Sequence, residues 1–158
     1  MNRTFAAFLF GLAFVAPALA QNPPGAVRPA PAARVAQKVD IQLRVVHATD
    51  SESGIDPRLQ SLAGSFRYFK YKGYRLLSTQ NATLAVSDDQ TFSIEGGRRV
   101  KVTLLSVDEG RARVRLQISG SEGNILDSSV NINRDGTFIV AGPRYKDGIL
   151  MLPVTASY

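Results

Sequence analysis

The chain has 158 residues, a net charge of +6 at pH 7 and 44% apolar residues, a length and hydrophobicity that suit one folded domain rather than a disordered chain. It has no Cys, no Trp and a single His. A disulfide scaffold, a thiolate zinc site, a Cys nucleophile and any scheme that needs two histidines are therefore excluded.

Residues 1–20 have the form of a secretory signal peptide. Arg3 gives the positive start, Phe5 to Val15 the apolar run, and Ala18-Leu19-Ala20 the small residues of a cleavage site after Pro17. The run is too short to span roughly 30 Å of hydrocarbon as a helix. Cleavage after Ala20 leaves Gln21 at the new N-terminus, with no thiol for lipid attachment. An exported chain without cysteine fits a Gram-negative bacterium better than a eukaryotic secreted domain, which places it in the periplasm, at the cell surface or outside. Residues 21–38 hold four prolines and five alanines and read as a flexible or polyproline-like linker.

The remainder, 39–158, reads as an all-β domain, an antiparallel β-sandwich of about eight or nine short strands. In the first strand Ile41, Leu43, Val45 and His47 share one face. Asp56-Pro57 caps one short helix over 57–63. Further strands are expected near 66–77, 82–86, 90–94, 98–107, 111–119, 124–132, 137–141 and 148–155. In the hairpin 98–118, a three-residue loop Asp108-Glu109-Gly110 sets Val107 opposite Arg111. Val100, Val102, Leu104 and Ser106 then share a face with Ala112, Val114, Leu116 and Ile118. Asp135-Gly136 reads as a second tight turn, between 124–132 and 137–141.

Two surfaces are candidates for binding. Between Phe66 and Arg75, five aromatics interleave with four cations: Arg67, Tyr68, Lys70, Tyr71, Lys72, Tyr74 and Arg75 could stack rings and pair anions. The preferred reading of the same stretch is a bulged core strand, with Gly73 reversing the inward parity, because a core without Trp needs at least half of these rings. Arg111, Arg113 and Arg115 form a row about 6.6–6.8 Å apart, within a Debye length, which favours an anionic partner. As a plain solvated face, their stems would cover Leu105 and Val107. An exported protein has little occasion to meet nucleic acid, so an envelope protein or an anionic glycan or lipid surface is the expected partner, with contact peripheral to any membrane.

No cofactor is expected. His47 lacks an evident nucleophile and orienting acid, and reads as an edge histidine. Asp50, Glu52 and Asp56 lack calcium-loop spacing, and Asp88-Asp89 reads as a turn. Asn81-Ala82-Thr83 fits a glycosylation acceptor that a bacterium would leave unused. A carboxylate hydrolase would need buried, pKa-shifted acids that sequence does not display. The C-terminal alternation Leu150, Leu152, Val154, Ala156, Tyr158 resembles the closing strand of an outer-membrane barrel, the alternative reading. Pro153 and the scarcity of girdle aromatics favour a buried final strand of a sandwich.

Two groups of residues also resemble small exported β-rich proteins of Gram-negative bacteria that have no assigned activity. They are Val46-His47-Ala48-Thr49 with Ile55-Asp56-Pro57-Arg58-Leu59 and Tyr74-Arg75-Leu76-Leu77, and the ending Val140-Ala141-Gly142-Pro143 with Gly148-Ile149-Leu150. The resemblance covers about 40–158 and implies export and a β-rich body. It carries over no functional residue, and a non-enzymatic binding or structural protein of the cell envelope is the expectation.

Overall fold

A computed structural model describes residues 37–158, so the expected signal peptide and nearly all of the expected linker lie outside the described residues. Alternation of apolar and polar side chains produces nine strands: β1 (Lys38–Thr49), β2 (Gly54–Ile55), β3 (Gly73–Ala85), β4 (Asp89–Ile94), β5 (Arg98–Asp108), β6 (Arg111–Gly120), β7 (Gly123–Asn133), β8 (Gly136–Tyr145) and β9 (Gly148–Ser157). They form two sheets, ordered β2-β3-β1-β9-β8 and β4-β5-β6-β7. The expected all-β sandwich is therefore present. Strands β3 to β9 run as an antiparallel meander that passes between the sheets at β3–β4 and β7–β8, and β1 closes it by pairing with both β3 and β9.

The sheets face each other across an apolar core. Ile41, Leu43 and Val45 of β1 and Leu150, Leu152 and Val154 of β9 meet Val100, Val102 and Leu104 of β5 and Val114, Leu116 and Ile118 of β6. Burial of each such side chain stabilises the fold by about 1.5–3 kcal/mol. A second, smaller cluster lies on the outer face of the five-stranded sheet. There Val46, Ala48 and Met151 are covered by Leu59, Leu62 and Phe66. Both faces of β1 are thus covered at its C-terminal end, which explains why Val45 through Thr49 are buried without interruption.

The covering segment is a 3-10 helix, Pro57–Leu62, followed by one α-turn, α1 (Ala63–Phe66). Pro57 opens it, and the Asp56 carboxylate accepts from the Arg58 backbone N–H at 3.0 Å, the N-cap expected from sequence.

The structure corrects the sequence reading at several points. Residues 66–72 are a helix end and turn, and the strand begins only at Gly73 and runs unbroken to Ala85. Strand-favouring aromatics lost their propensity here because Phe66 finds full burial on the outside of the sheet. The 98–118 hairpin closes with a two-residue turn, Glu109-Gly110, both with positive φ (49° and 75°) and therefore of type I′. Val107 faces Ala112, not Arg111. A bulge at Leu105 restores the expected register from Leu104↔Val114 to Arg99↔Ser119. Beyond it the faces exchange: Val107 packs on the core, and Ser106 pairs with the outward-facing Arg113. The turn at Asp135 (φ 55°) turns the chain from one sheet into the other and does not close a hairpin. Pro153 lies inside β9, which is flanked on both sides. It is accommodated where the β1–β9 ladder lapses between Leu43↔Val154 and Val46↔Met151.

Candidate functional site

The aromatic–cationic segment divides between core and solvent. Phe66 and Tyr74 are buried and stack with ring centroids 4.4 Å apart and planes at 11°. The Tyr74 hydroxyl donates to the Phe66 carbonyl at 3.1 Å, and burial pushes its phenol above the ordinary value. Phe69 and Tyr71 are half-buried against the same cluster. Tyr68 is 82% exposed, flanked by exposed Arg67, Lys70 and Lys72.

The intervening loop is fastened at both ends. Phe69 N–H donates to Phe66 O at 2.9 Å, Lys72 N–H to Thr49 O at 3.2 Å, and Gly54 N–H to Lys72 O at 2.9 Å. Gly73 follows where the segment leading into β2 passes so closely that a Cβ would lie 2.6 Å from the Glu52 carbonyl oxygen. Arg75 points elsewhere and pairs with Glu52. Among the described residues, no acid lies within ion-pair distance of Arg67, Lys70 or Lys72.

The arginine row occupies the outer face of the four-stranded sheet, as the alternation requires. Arg115 makes a bidentate pair with Asp127, at 2.8 and 2.5 Å, and Gln117 donates to the same carboxylate at 3.0 Å. This pairing raises the Arg115 pKa and lowers that of Asp127, mainly through the side-chain hydrogen bonds. Lys101 sits 3.4 Å from Asp89 on the same face. Arg111 and Arg113 are exposed beside a shallow depression that Asp108 and Glu109 also line. The row is thus partly neutralised by its own surroundings.

The two candidate groups do not share a surface. The 67–72 loop continues the segment that covers the outside of the five-stranded sheet, whereas Arg111, Arg113 and Arg115 look outward from the opposite sheet. The sandwich lies between them. Tyr74 belongs to neither surface.

A third cluster was missed by sequence reasoning. Its centre is Asp147, in the β8–β9 turn, whose Oδ2 accepts from Thr49 Oγ1 at 2.5 Å and from the Ser51 hydroxyl. Ser51 N–H in turn donates to Thr49 Oγ1 at 3.1 Å. His47 Nε2 lies 3.4 Å from Asp147 Oδ1 without hydrogen-bond alignment, and its ring meets Tyr145 edge-on at 5.4 Å. The hydroxyl bonds, more than the imidazole, hold the Asp147 pKa down at about 2. A cavity of about 280 Å³ opens beside the cluster, lined also by Glu52, Arg75, Leu77 and Lys146.

The connectivity of this cluster matters for its chemistry. Both hydroxyls bond the acid and neither bonds the imidazole, so the nucleophile–base contact of acyl transfer is not made. The cluster is a clamp that ties the β8–β9 turn to the end of β1. In the sequence His47 has Asp50 as its near neighbour, and its true partner lies a hundred positions away. Only the polar turn Lys146-Asp147-Gly148 could have hinted at it.

Asp56 is engaged by Arg58 through both carboxylate oxygens, which holds its pKa well below the usual range. Among the described residues, no three His, Cys, Asp or Glu side chains converge to hold a metal. No protein-family model, curated protein or solved structure matches the chain.

Proposed function

We propose that this chain is an exported, non-enzymatic binding protein, an accessory of a cell-envelope assembly that docks on an anionic or acidic surface. One observation carries the reading. The loop 67–72 presents a solvent-directed tyrosine and three cations without acidic partners, on a backbone anchored at both ends by the core. Unpaired cations on a pre-ordered loop attract anions at little ordering cost. The arginine row is a weaker candidate because Arg115 is already occupied by Asp127.

The acids held below the ordinary range are occupied as local tethers: Asp56 by Arg58, Asp127 by Arg115, and Asp147 by the Ser51 and Thr49 hydroxyls. The distribution of polarity speaks against a membrane-spanning barrel. Here the interior is apolar, and Lys101, Arg113, Arg115 and Asp127 face outward, the inverse of a lipid-facing band.

The test is affinity capture from envelope extract at low salt by the chain beginning at Gln21. Reversal of Arg67, Lys70 and Lys72 to Glu is expected to abolish capture, and reversal of Arg111 and Arg113 to leave most of it. If the loop variant captures its partner as well as the parent does, the loop is not the docking site.

A further inference from the structure

We infer that the partner of the 67–72 loop is the anionic face of a lipid bilayer, on which the protein rests peripherally with Tyr68 in the headgroup layer. The inference rests on the docking role proposed above and names its partner. Four features of the loop favour a bilayer. Tyr68 projects almost fully into solvent, with a ring that suits an apolar boundary and a hydroxyl that suits water. Arg67, Lys70 and Lys72 flank it in the sequence, are exposed and carry no acid of their own. Phe69 and Tyr71 lie half-buried against the body, so the loop has an apolar underside that fixes it and only one ring free to enter the interface.

The fourth feature is shape. None of the grooves beside Gly54 and Asp56, Gln42 and Asn81, Arg111 and Arg113, or His47 and Asp147 is lined by Arg67, Tyr68, Lys70 or Lys72. Tyr68 is 82% exposed and Arg67, Lys70 and Lys72 are exposed with it, so the loop offers its side chains outward. A sugar chain is held in a concave site whose walls reach around it, whereas an outward-facing cationic–aromatic loop fits a broad deformable plane. One exposed ring and a few cations give reversible, salt-sensitive attachment rather than insertion.

The chain contains no tryptophan, so Tyr68→Trp places a single fluorescent reporter at the proposed contact. Because residue 68 is solvent-directed, the substitution leaves the core intact, which the thermal melt verifies. The chain beginning at Gln21 is titrated with vesicles of phosphatidylglycerol in phosphatidylcholine, and with phosphatidylcholine alone. The expected result is a blue shift of emission and co-sedimentation with the anionic vesicles only, both reversed by raised salt. Each cation is worth about fivefold in partitioning. Replacing Arg67, Lys70 and Lys72 with Glu is therefore expected to weaken binding at least about a hundredfold, without lowering the melting temperature.

Unchanged emission, or equal binding to neutral vesicles, overturns the inference. Retention on an immobilised anionic polysaccharide without vesicle binding overturns the lipid assignment and leaves the docking role standing. Failure to bind either support, together with undiminished capture by the charge-reversed loop, overturns both.

Discussion

Asp147 shows how one carboxylate can join segments a hundred residues apart. Its pKa falls from 3.8 to about 2 because Ser51 and Thr49 donate to the charged form. The folded chain therefore releases this proton more readily than the unfolded one. The stabilisation is complete above the ordinary carboxylate range, declines as pH falls below 3.8, and is gone near the folded value. Asp147→Asn should accordingly lower the melting temperature at neutral pH, and the difference from the parent should close as pH approaches 2. Comparing the two chains cancels the parallel titration of Asp56 and Asp127. A gap independent of pH would show that shape, not charge, makes the clamp. The neighbouring residue tests the same junction sterically. A Cβ at Gly148 would stand 1.9 Å from the Ala48 carbonyl oxygen, and both residues lie in the paired β1–β9 ladder. Gly148→Ala is expected to cost about 3 kcal/mol or more, the upper end for overpacking, read as a fall in the urea midpoint.

At the scale of elements, the β5–β6 hairpin separates what alternation encodes from what it does not. The run Val100, Val102, Leu104 against Val114, Leu116, Ile118 fixes the register without reference to the turn, because a one-residue slip would bring arginines inward. The turn itself was misread, since a three-residue loop with no bulge and a two-residue loop with a bulge give the same pairing above Leu104. Leu104-Leu105 adjacency was the one available hint of the second solution. The bulge falls where the turn after β3 bonds β5: Ser87 N–H donates to Leu104 O at 2.8 Å, and Leu104 N–H to Asp88 O at 3.0 Å. Leu105 itself is 36% exposed and unpaired in the ladder. Its deletion joins Leu104 to Ser106 with uninterrupted in–out alternation and the same two-residue turn. The deletion is expected to keep a cooperative melt and cost about 1 kcal/mol. Deleting Arg115 from β6 instead should abolish folding, because β6 carries no extra residue between Ala112 and Ile118 to absorb the loss, and either Ala112 and Val114 or Leu116 and Ile118 leave the core face. Loss of folding in both would mean that the bulge is required for sheet curvature. The 66–72 segment failed for a different reason. Its composition favours a strand, and only the outer cluster of Val46, Ala48 and Met151 gives Phe66 a better place as part of a helix end. The cations of the loop were legible as residue types. Their separation from the arginine row was not, because it depends on which sheet each strand joins.

For the molecule as a whole, the meander decides how it can meet a membrane. Strands β3 to β9 follow one another around the sandwich and β1 closes the circuit, an arrangement that shares its connectivity with up-and-down barrels. Connectivity alone does not choose between a barrel in lipid and a body in water, and the C-terminal alternation that fits a closing barrel strand also fits β9 as a central strand. The side-chain distribution makes the choice. Leu150, Leu152, Val154 and Ala156 turn to a core filled from both sheets, while the outer face of β5 and β6 carries Lys101, Thr103, Arg113, Arg115 and Gln117. Putting that face in hydrocarbon costs about 2–4 kcal/mol for each cation near the midplane, more than one domain's net stability once several are immersed. The proposed attachment to a membrane is therefore peripheral and electrostatic, through the loop that sets Arg67, Lys70 and Lys72, without acidic partners, around an exposed tyrosine. Cells expressing the full chain should release it by osmotic shock in raised salt, without detergent. In low salt a fraction should sediment with membranes, and that fraction should vanish when Arg67, Lys70 and Lys72 are reversed. A pool that stays with the outer membrane through high salt and leaves only in detergent would require the outer faces to be lipid-facing, which their charges forbid in this fold.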